Sequence, residues 1–140
     1  MKPVDKILPP VVADGEPQRV LSAEEWLGGI EKALQSGNVD SIGRAVRDAA
    51  QFHPDYESAM AIFRRFCHID DTLFQVRAMM AIVHLIRRFG AIDIDTVTPI
   101  LRKTLQSQDS VLRGNAQLAV DDIVNALPSI DRSRFMPPRR

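Results

Sequence analysis

The chain has 140 residues, 45% of them hydrophobic, which is enough for one domain with a core and too few for two. Lysine plus arginine and aspartate plus glutamate balance at 18 each, so the net charge favours neither nucleic acid nor an anionic membrane as a partner. A single cysteine, Cys67, excludes an internal disulfide and fits a reducing compartment. The apolar run ILPPVVA is interrupted by prolines and is too short to cross a membrane. We therefore expect a cytoplasmic protein with no membrane association.

Both ends of the chain differ in composition from its middle. Residues 1–20 contain four prolines, which fix the backbone and remove hydrogen-bond donors, so an extended or disordered arm is expected there. Residues 128–140 combine prolines with arginines and are interpreted as a basic tail. The folded domain is predicted over residues 21–127.

Apolar side chains recur at helical spacing through this domain, and no segment alternates apolar with polar residues as a half-buried strand does. The fold class is therefore predicted to be all-α. The first helix should begin at a capping box formed by Ser22 and Glu25, with Leu21 and Trp26 in contact beside it. It should end at Gly37, because glycine accepts the left-handed conformation that often follows a helix.

The second helix is predicted to begin at an N-cap, Asp40, and to end before Pro54. A third, amphipathic helix follows within YESAMAIFRRFC. The fourth, within DTLFQVRAMMAIVHLIRRFG, is apolar almost all round, which is typical of a helix packed between neighbours. It is expected to expose one thin basic strip along a single line of residues, namely Arg77, Ala81, His84 and Arg88.

The fifth helix is predicted within TVTPILRKTLQSQ. The sixth should begin at Asp109, whose short carboxylate is a favourable N-cap. Its buried face is expected to consist of Leu112, Ala116, Ala119, Ile123 and Leu127. Its opposite face carries Gln117, Asp121 and Asn125.

The last two helix pairs repeat along the sequence. Asp71 and Asp109 are 38 positions apart, and so are Arg64 and Arg102. Helix pairs that cannot bury their apolar faces alone stack on one another, and a period of this length is typical of α-solenoids.

The segment TVTPILRKTLQSQDSVLRGNAQLAVDDI resembles a HEAT repeat. The residues that carry the likeness are Pro99 in the first helix, Leu105 before the turn, Asp109 in the turn, Val111 and Arg113 at the start of the second helix, and Ala116 and Ala119 on its packed face. The segment DTLFQVRAMMAIVHL is similar through Asp71, Val76 and Arg77, but the helix before it lacks the family's proline. Residues 21–53 are similar through Arg47 and Ala50.

This resemblance implies a short right-handed α-solenoid of about three antiparallel helix pairs. HEAT proteins are generally non-catalytic scaffolds that bind other macromolecules along one face. In them the turn aspartate and the helix arginine contact neighbouring repeats, which implies a structural role for Asp71, Arg77, Asp109 and Arg113.

Groups that could carry chemistry do not form a recognisable catalytic or metal-binding pattern. Asp121 and Asp122 point about 100° apart on a helix and are expected on a solvated face. Cys67 and His68 also diverge, one cysteine is short of a structural zinc set, and Cys67 is predicted to lie in the core. No phosphate-binding loop, nucleophile elbow or metalloprotease motif occurs. We predict no catalytic residue, no metal and no cofactor.

Basic side chains on the third and fourth helices form the candidate contact surface. Two interpretations remain open, a solvated helical face or a binding face for an acidic partner, since arginine donors suit carboxylates and phosphates. The candidate partner-binding residues are Arg64, Arg65, His68, Arg77, His84, Arg87 and Arg88, together with Gln117, Asp121 and Asn125 on the sixth helix.

The neutral net charge favours a protein partner over nucleic acid. The predicted function is a non-catalytic module that blocks or recruits one protein, as an inhibitor, an immunity protein or an adaptor. One alternative is a nucleic-acid-binding helical repeat that uses the basic face. Another is a subunit that shows enzyme activity only with an obligate partner.

Overall fold

The computed structural model describes residues 23–136, which form helices and no strands, so the all-α prediction is confirmed for this part of the chain. The α-helices in chain order are α1 (Ala23–Gln35), α2 (Val39–Phe52), α3 (Tyr56–Phe66), α4 (Thr72–Phe89), α5 (Ile94–Leu105) and α6 (Ser110–Ala126). A short 3-10 helix, Arg132–Phe135, follows them. The predicted N-terminal arm, and the capping box and staple that need Ser22 and Leu21, lie outside the described residues.

The α-helices from α2 onwards share one kind of N-cap, a short side chain with an oxygen that accepts a hydrogen bond. An aspartate or asparagine precedes each helix, and its side-chain oxygen accepts a hydrogen bond from a backbone N–H of the first turn, which satisfies a donor that the helix itself leaves free. These N-caps are Asn38, Asp55, Asp71, Asp93 and Asp109. The predicted cap at Asp109 is therefore confirmed.

The prediction that Asp40 caps α2 is wrong. Asn38 has an extended backbone and accepts from the Ser41 N–H at 3.0 Å, so the helix begins two residues earlier than expected. Both residue types cap helices well, and the local pattern does not choose between them. As a result, Asp40 lies in the first turn of α2, where its carboxylate contacts another helix.

Helix α4 lies between α2 and α6 and contacts both. Arg77, near the start of α4, contacts Asp40 near the start of α2, and Arg88 contacts Ala50 near the end of α2, so these two helices run in the same direction. Helices α1, α3 and α5 pack against α2, α4 and α6, respectively. The prediction that α4 is packed between neighbours is confirmed, because both aromatic and aliphatic side chains along it are buried.

The basic strip expected to be exposed on α4 faces α2 instead. Ala81 is fully buried, and the Arg77 side chain retains only 13% of its exposure. The guanidinium of Arg88 donates to the backbone oxygen of Ala50 at 2.8 Å. Helical periodicity indicates which residues share a line on α4, but it does not indicate which neighbouring helix covers that line.

Helices α2 and α4 approach closely at Gly43. A Cβ atom at this position would lie 3.2 Å from side-chain atoms of both Phe74 and Arg77. The absence of a side chain therefore allows the start of α4 to pack against the backbone of α2. This close contact brings the Arg77 guanidinium within reach of Asp40.

The chain after Leu127, interpreted from sequence as a basic tail, packs on the helices over its described part. Phe135 in the 3-10 helix is fully buried and belongs to the main core. The Nε of Arg102 on α5 donates to the backbone oxygen of Arg134 at 2.7 Å, and Arg134 donates to the hydroxyl of Thr98 at 3.1 Å. The residues up to Met136 therefore extend the fold beyond the predicted boundary.

The HEAT resemblance implies that Arg77 and Arg113 both contact neighbouring repeats, but the structure gives them different kinds of contact. Arg77 contacts the preceding helix pair through Asp40, as the HEAT resemblance implies. Arg113 instead donates to the backbone oxygen of Ser107, at 2.6 Å, in the turn of its own helix pair.

We predict that Phe135→Ala lowers the free energy of unfolding by about 3–5 kcal/mol, because it removes a fully buried aromatic ring and leaves a cavity. Urea denaturation followed by circular dichroism measures the change. Met136→Ala is the matched control, since this neighbouring side chain is 40% exposed and its removal should change stability little. Equal effects of the two substitutions would contradict the described packing of the C-terminal segment.

We also predict that Gly43→Leu destabilises the fold by about 1–3 kcal/mol, since a side chain there must separate α2 from α4. Gly114→Leu on α6 is the matched control, because a Cβ at Gly114 meets nothing within 4 Å. The control should be neutral or slightly stabilising through its better helix propensity. Thermal unfolding of both variants gives the comparison, and a neutral Gly43→Leu would contradict the close approach.

Candidate functional site

Two of the predicted contact residues on α4 hold α2 in place. The guanidinium of Arg77 donates to both the carboxylate and the backbone oxygen of Asp40, the latter at 3.0 Å. This hydrogen bond lowers the pKa of the Asp40 carboxyl. Arg88 bonds to the backbone of Ala50, its guanidinium lies 4.5 Å from the ring centre of Phe89, and burial lowers its pKa. Both arginines are therefore engaged inside the fold.

His84 and Arg87 continue this pattern on the second half of α4. His84 is half-buried, and its pKa is lowered by burial and then by the nearby cations Arg47, Arg87 and Arg88, which leaves the ring neutral at pH 7. Arg87 pairs with Asp122 on α6, with Nε to Oδ2 at 2.7 Å.

The expectation that Asp122 lies on a solvated face is therefore wrong, since only 15% of its side chain is exposed beside Arg87. The neighbouring Asp121 is exposed, as expected, and pairs with Arg132 at 2.6 Å. Because Arg132 lies in the 3-10 helix, this ion pair joins that helix to α6.

Arg64 connects α3 with α5. Its Nε donates to Oδ2 of Asp93, the N-cap of α5, at 2.8 Å, and the same carboxylate accepts from the hydroxyl of Thr96. The hydrogen bond from Arg64 is the main reason that the pKa of Asp93 lies below its usual value. Arg64 therefore makes a contact within the fold that could compete with binding to a partner.

The residues predicted on the outer face of α6 are exposed but lie apart from the basic residues of α3. Gln117, Asp121 and Asn125 are all exposed, as the spacing indicates. Gln117 and Asp121 line a shallow depression with Arg132, whereas Asn125 lies beside Asp122 in another. The structure does not bring the ten predicted residues onto one surface.

A cleft of about 240 Å³ lies between the turn after α3, the first half of α4, and α5. It is lined by Cys67, His68, Ile69, Gln75, Ala78, Met79, Pro99, Ile100, Lys103 and Thr104. His68 and Lys103 are exposed, while Ala78 and Met79 are buried. The cleft therefore combines an apolar floor with two basic groups that reach solvent.

The polar groups in the walls of this cleft are bonded within the protein. The hydroxyl of Thr104 donates to the backbone oxygen of Ile100 at 2.7 Å, and the Gln75 amide donates to Asp70 at 3.2 Å. The thiol of Cys67 contacts the backbone oxygen of Arg64 at 3.5 Å, and burial raises the pKa of Cys67, which keeps the thiol protonated at neutral pH. Cys67 was predicted to lie in the core, and in the structure it is partly buried at the edge of the core.

Two basic residues line the opening of this cleft, His68 in the turn after α3 and Lys103 in the last turn of α5. Both side chains are exposed, and neither forms an ion pair within residues 23–136. Arg65 and Arg102 lie near them in the sequence but do not line the cleft, and the Nε of Arg102 donates to the backbone oxygen of Arg134. We name this site, with His68 and Lys103 at the rim of the apolar floor, the basic cleft.

Of the two basic residues at this cleft, sequence reasoning found His68 but missed Lys103 as a candidate contact residue. The signal was present in the repeat, since Arg64 and Arg65 recur as Arg102 and Lys103 at an offset of 38. Cations in the last turn of a helix also interact favourably with its negative end, which supports the fold at both positions. An offset of 38 residues does not by itself show that two side chains share a surface. The structure supplies that information, because it places the turn after α3 and the last turn of α5 beside one cleft.

Within residues 23–136, no group of three histidine, cysteine, aspartate or glutamate side chains is arranged to hold a metal ion. Among the helices of the same residues, none has both the length and the apolar character needed to cross a bilayer. No protein-family model, curated protein or solved structure matches the chain. The resemblance to HEAT repeats stays a prediction from the residues quoted above.

We predict that Asp93→Asn lowers stability at neutral pH and that this difference disappears in acid. The folded-state pKa of Asp93 is depressed, so its contribution is complete above the unfolded value of about 3.9 and is lost as the pH falls through the folded value. Asparagine still caps α5 but cannot form the ion pair with Arg64. Urea denaturation of both proteins at about pH 7 and about pH 2.5 measures the two differences.

Asp95→Asn is the control for this prediction, because that carboxylate is 94% exposed and such pairs contribute little. A constant difference between the parent chain and Asp93→Asn across the pH range would contradict the assigned ion pair.

Proposed function

We propose that this chain is a non-catalytic protein-binding module that acts in the cytoplasm and blocks or recruits a single protein partner. In this proposal its three helix pairs stack as a short right-handed solenoid of the HEAT type. The contact between α4 and both α2 and α6 supports such stacking. The partner contributes an acidic segment that binds in the basic cleft.

The observation that carries this proposal is the uncompensated charge at the cleft. Arg77 and Arg87 pair with carboxylates inside the fold, and Arg88 bonds to a backbone oxygen. Lys103, at the rim of the cleft, lacks such a partner among the described residues and remains exposed. Carboxylates on a partner would therefore gain charge-assisted hydrogen bonds at the cleft without breaking an internal ion pair.

Protein is favoured over nucleic acid because the cleft combines few cations with an apolar floor. Nucleic-acid binding relies on many phosphate contacts and is usually accompanied by a basic surface of larger extent. The chain as a whole is neutral, and Asp70 lies beside the cleft, where it accepts from Gln75. An acidic protein segment needs fewer cations and can place apolar side chains on Ile69 and Ile100, which are partly exposed.

We predict that Lys103→Glu folds normally but binds a ten-residue glutamate peptide about tenfold more weakly than the parent chain. This side chain is exposed, so circular dichroism should be unchanged. The control, Lys32→Glu, makes the same change in net charge at an exposed site on α1. Titration calorimetry at about 50 mM salt measures the affinities.

Equal weakening by Lys103→Glu and Lys32→Glu would show that net charge rather than the cleft determines binding. A duplex DNA of about 20 base pairs serves as the second probe. Tighter binding of this DNA than of the peptide, with affinity that falls steeply with salt, would favour nucleic acid and contradict the proposal. Arg64 and Arg88 are left unchanged in this test, since their reversal would break contacts within the fold.

A further inference from the structure

Helix α2 contacts α4 along one line of residues. Asp40 accepts a hydrogen bond from Arg77 of α4, and a Cβ atom at Gly43 would lie 3.2 Å from the side chain of the same arginine. Arg47 lies close enough to His84 of α4 to lower the pKa of that histidine. The three α2 residues follow the N-cap of their helix by two, five and nine positions, a spacing that places them on one side of the helix.

Helix α6 exposes the corresponding line to solvent. The residues that follow its N-cap by two, five and nine positions are Val111, Gly114 and Leu118. Val111 is 62% exposed and Leu118 is 44% exposed, and a Cβ atom at Gly114 would meet nothing within 4 Å. The surface by which α2 holds the next helix therefore recurs on α6, with a glycine at the same position and two large apolar side chains beside it.

The opposite end of the stack of helix pairs is polar. The side of α4 that contacts α2 begins with Phe74 and Arg77, which follow the N-cap of α4 by three and six positions. The residues of α2 on the matching side are all polar, namely Ser41, Arg44, Asp48 and Gln51. A polar outer face is typical of the terminal unit of such a stack. Joining two copies head to tail would therefore set the apolar line of α6 against polar side chains, which is unfavourable.

We infer that two copies of this chain form a weak two-fold dimer in which α6 of one copy lies antiparallel on α6 of the other. A two-fold axis beside Gly114 places Val111 of each copy against Leu118 of its partner, so the apolar line is complementary to itself, as an interface of this symmetry requires. The lack of a side chain at Gly114 allows the two helices to approach closely, as Gly43 does between α2 and α4.

The charges and the size of this surface fit a weak dimer. Asp121, the acidic residue one turn after Leu118, pairs with Arg132 of its own copy, so its charge is compensated there. The line from Val111 to Leu118 spans only about 10 Å of helix, whereas stable interfaces bury about 800 Å² on each partner. We therefore expect a dissociation constant on the order of 0.1 mM. The line shares no residue with the basic cleft, so this inference does not rest on the proposed function.

Sedimentation equilibrium of the full chain, from about 10 µM to about 1 mM, tests the dimer. The mass should rise from that of one copy to that of two. Leu118→Glu should weaken the dimer at least about tenfold, with an unchanged circular dichroism spectrum because the side chain is exposed. Leu27→Glu is the matched control, since this leucine is also exposed but lies on α1, which packs on α2, and the dimer should persist.

A cysteine at the proposed axis tests the two-fold arrangement. Gly114→Cys in a Cys67→Ser background should form a disulfide between two copies on mild oxidation, because only a two-fold axis brings this position next to itself. Gly28→Cys in the same background is the control at an open position on α1 and should remain unlinked.

Each result either supports or overturns the inference. A mass of one copy at about 1 mM would overturn it, and so would equal weakening by Leu118→Glu and Leu27→Glu, which would assign the effect to net charge. A dimer that Gly114→Cys does not link faster than Gly28→Cys would overturn the antiparallel arrangement of α6. If Leu118→Glu does not fold, the mass of the parent chain and the linking experiment still decide.

Discussion

Burial of α4 between α2 and α6 constrains the charges of the whole molecule. A helix covered on both sides cannot leave a guanidinium without partners, because a buried unpaired charge is strongly unfavourable. Arg77 therefore bonds to Asp40 and Arg88 to the backbone of Ala50. Arg87 is 60% exposed, and there it is the mostly buried carboxylate of Asp122 that gains a partner. Each of these contacts joins α4 to a helix of another pair, so the arginines of α4 fix how neighbouring helices lie against one another.

This constraint also determines where the protein can bind a charged partner. With the arginines of α4 engaged, the exposed cations without an ion pair in the described chain include those at the ends of α3 and α5. Because α5 and the turn after α3 flank one cleft, basic residues from different parts of the sequence, His68 and Lys103, lie at its rim. The net charge of the chain is zero, yet Lys103 is an exposed cation at this rim without an ion pair in the described part of the chain. A partner would therefore respond to the arrangement of the charges rather than to their sum.

The C-terminal segment depends on the same kind of contact. This segment is rich in prolines and arginines, and its composition alone indicated a basic tail. In the structure, Phe135 enters the core while Arg132 and Arg134 bond to Asp121 and Thr98. One buried ring outweighs the polar composition around it, because burying a large aromatic side chain is strongly favourable.

The sequence by itself determined the all-α class, the end of α2 before Pro54 and the N-cap at Asp109, because these depend on contacts between residues close along the chain. It also indicated that α4 is buried, because that helix is apolar almost all round. Arg65 and His68 were identified as basic residues, and both are exposed. Only the tertiary structure decided that Arg77, Arg88 and Asp122 face other helices, that Phe135 belongs to the core, and that Lys103 lies across a cleft from His68. The reason is physical: periodicity specifies which side chains share a face, whereas the partner of that face lies more than thirty residues away and is selected by packing.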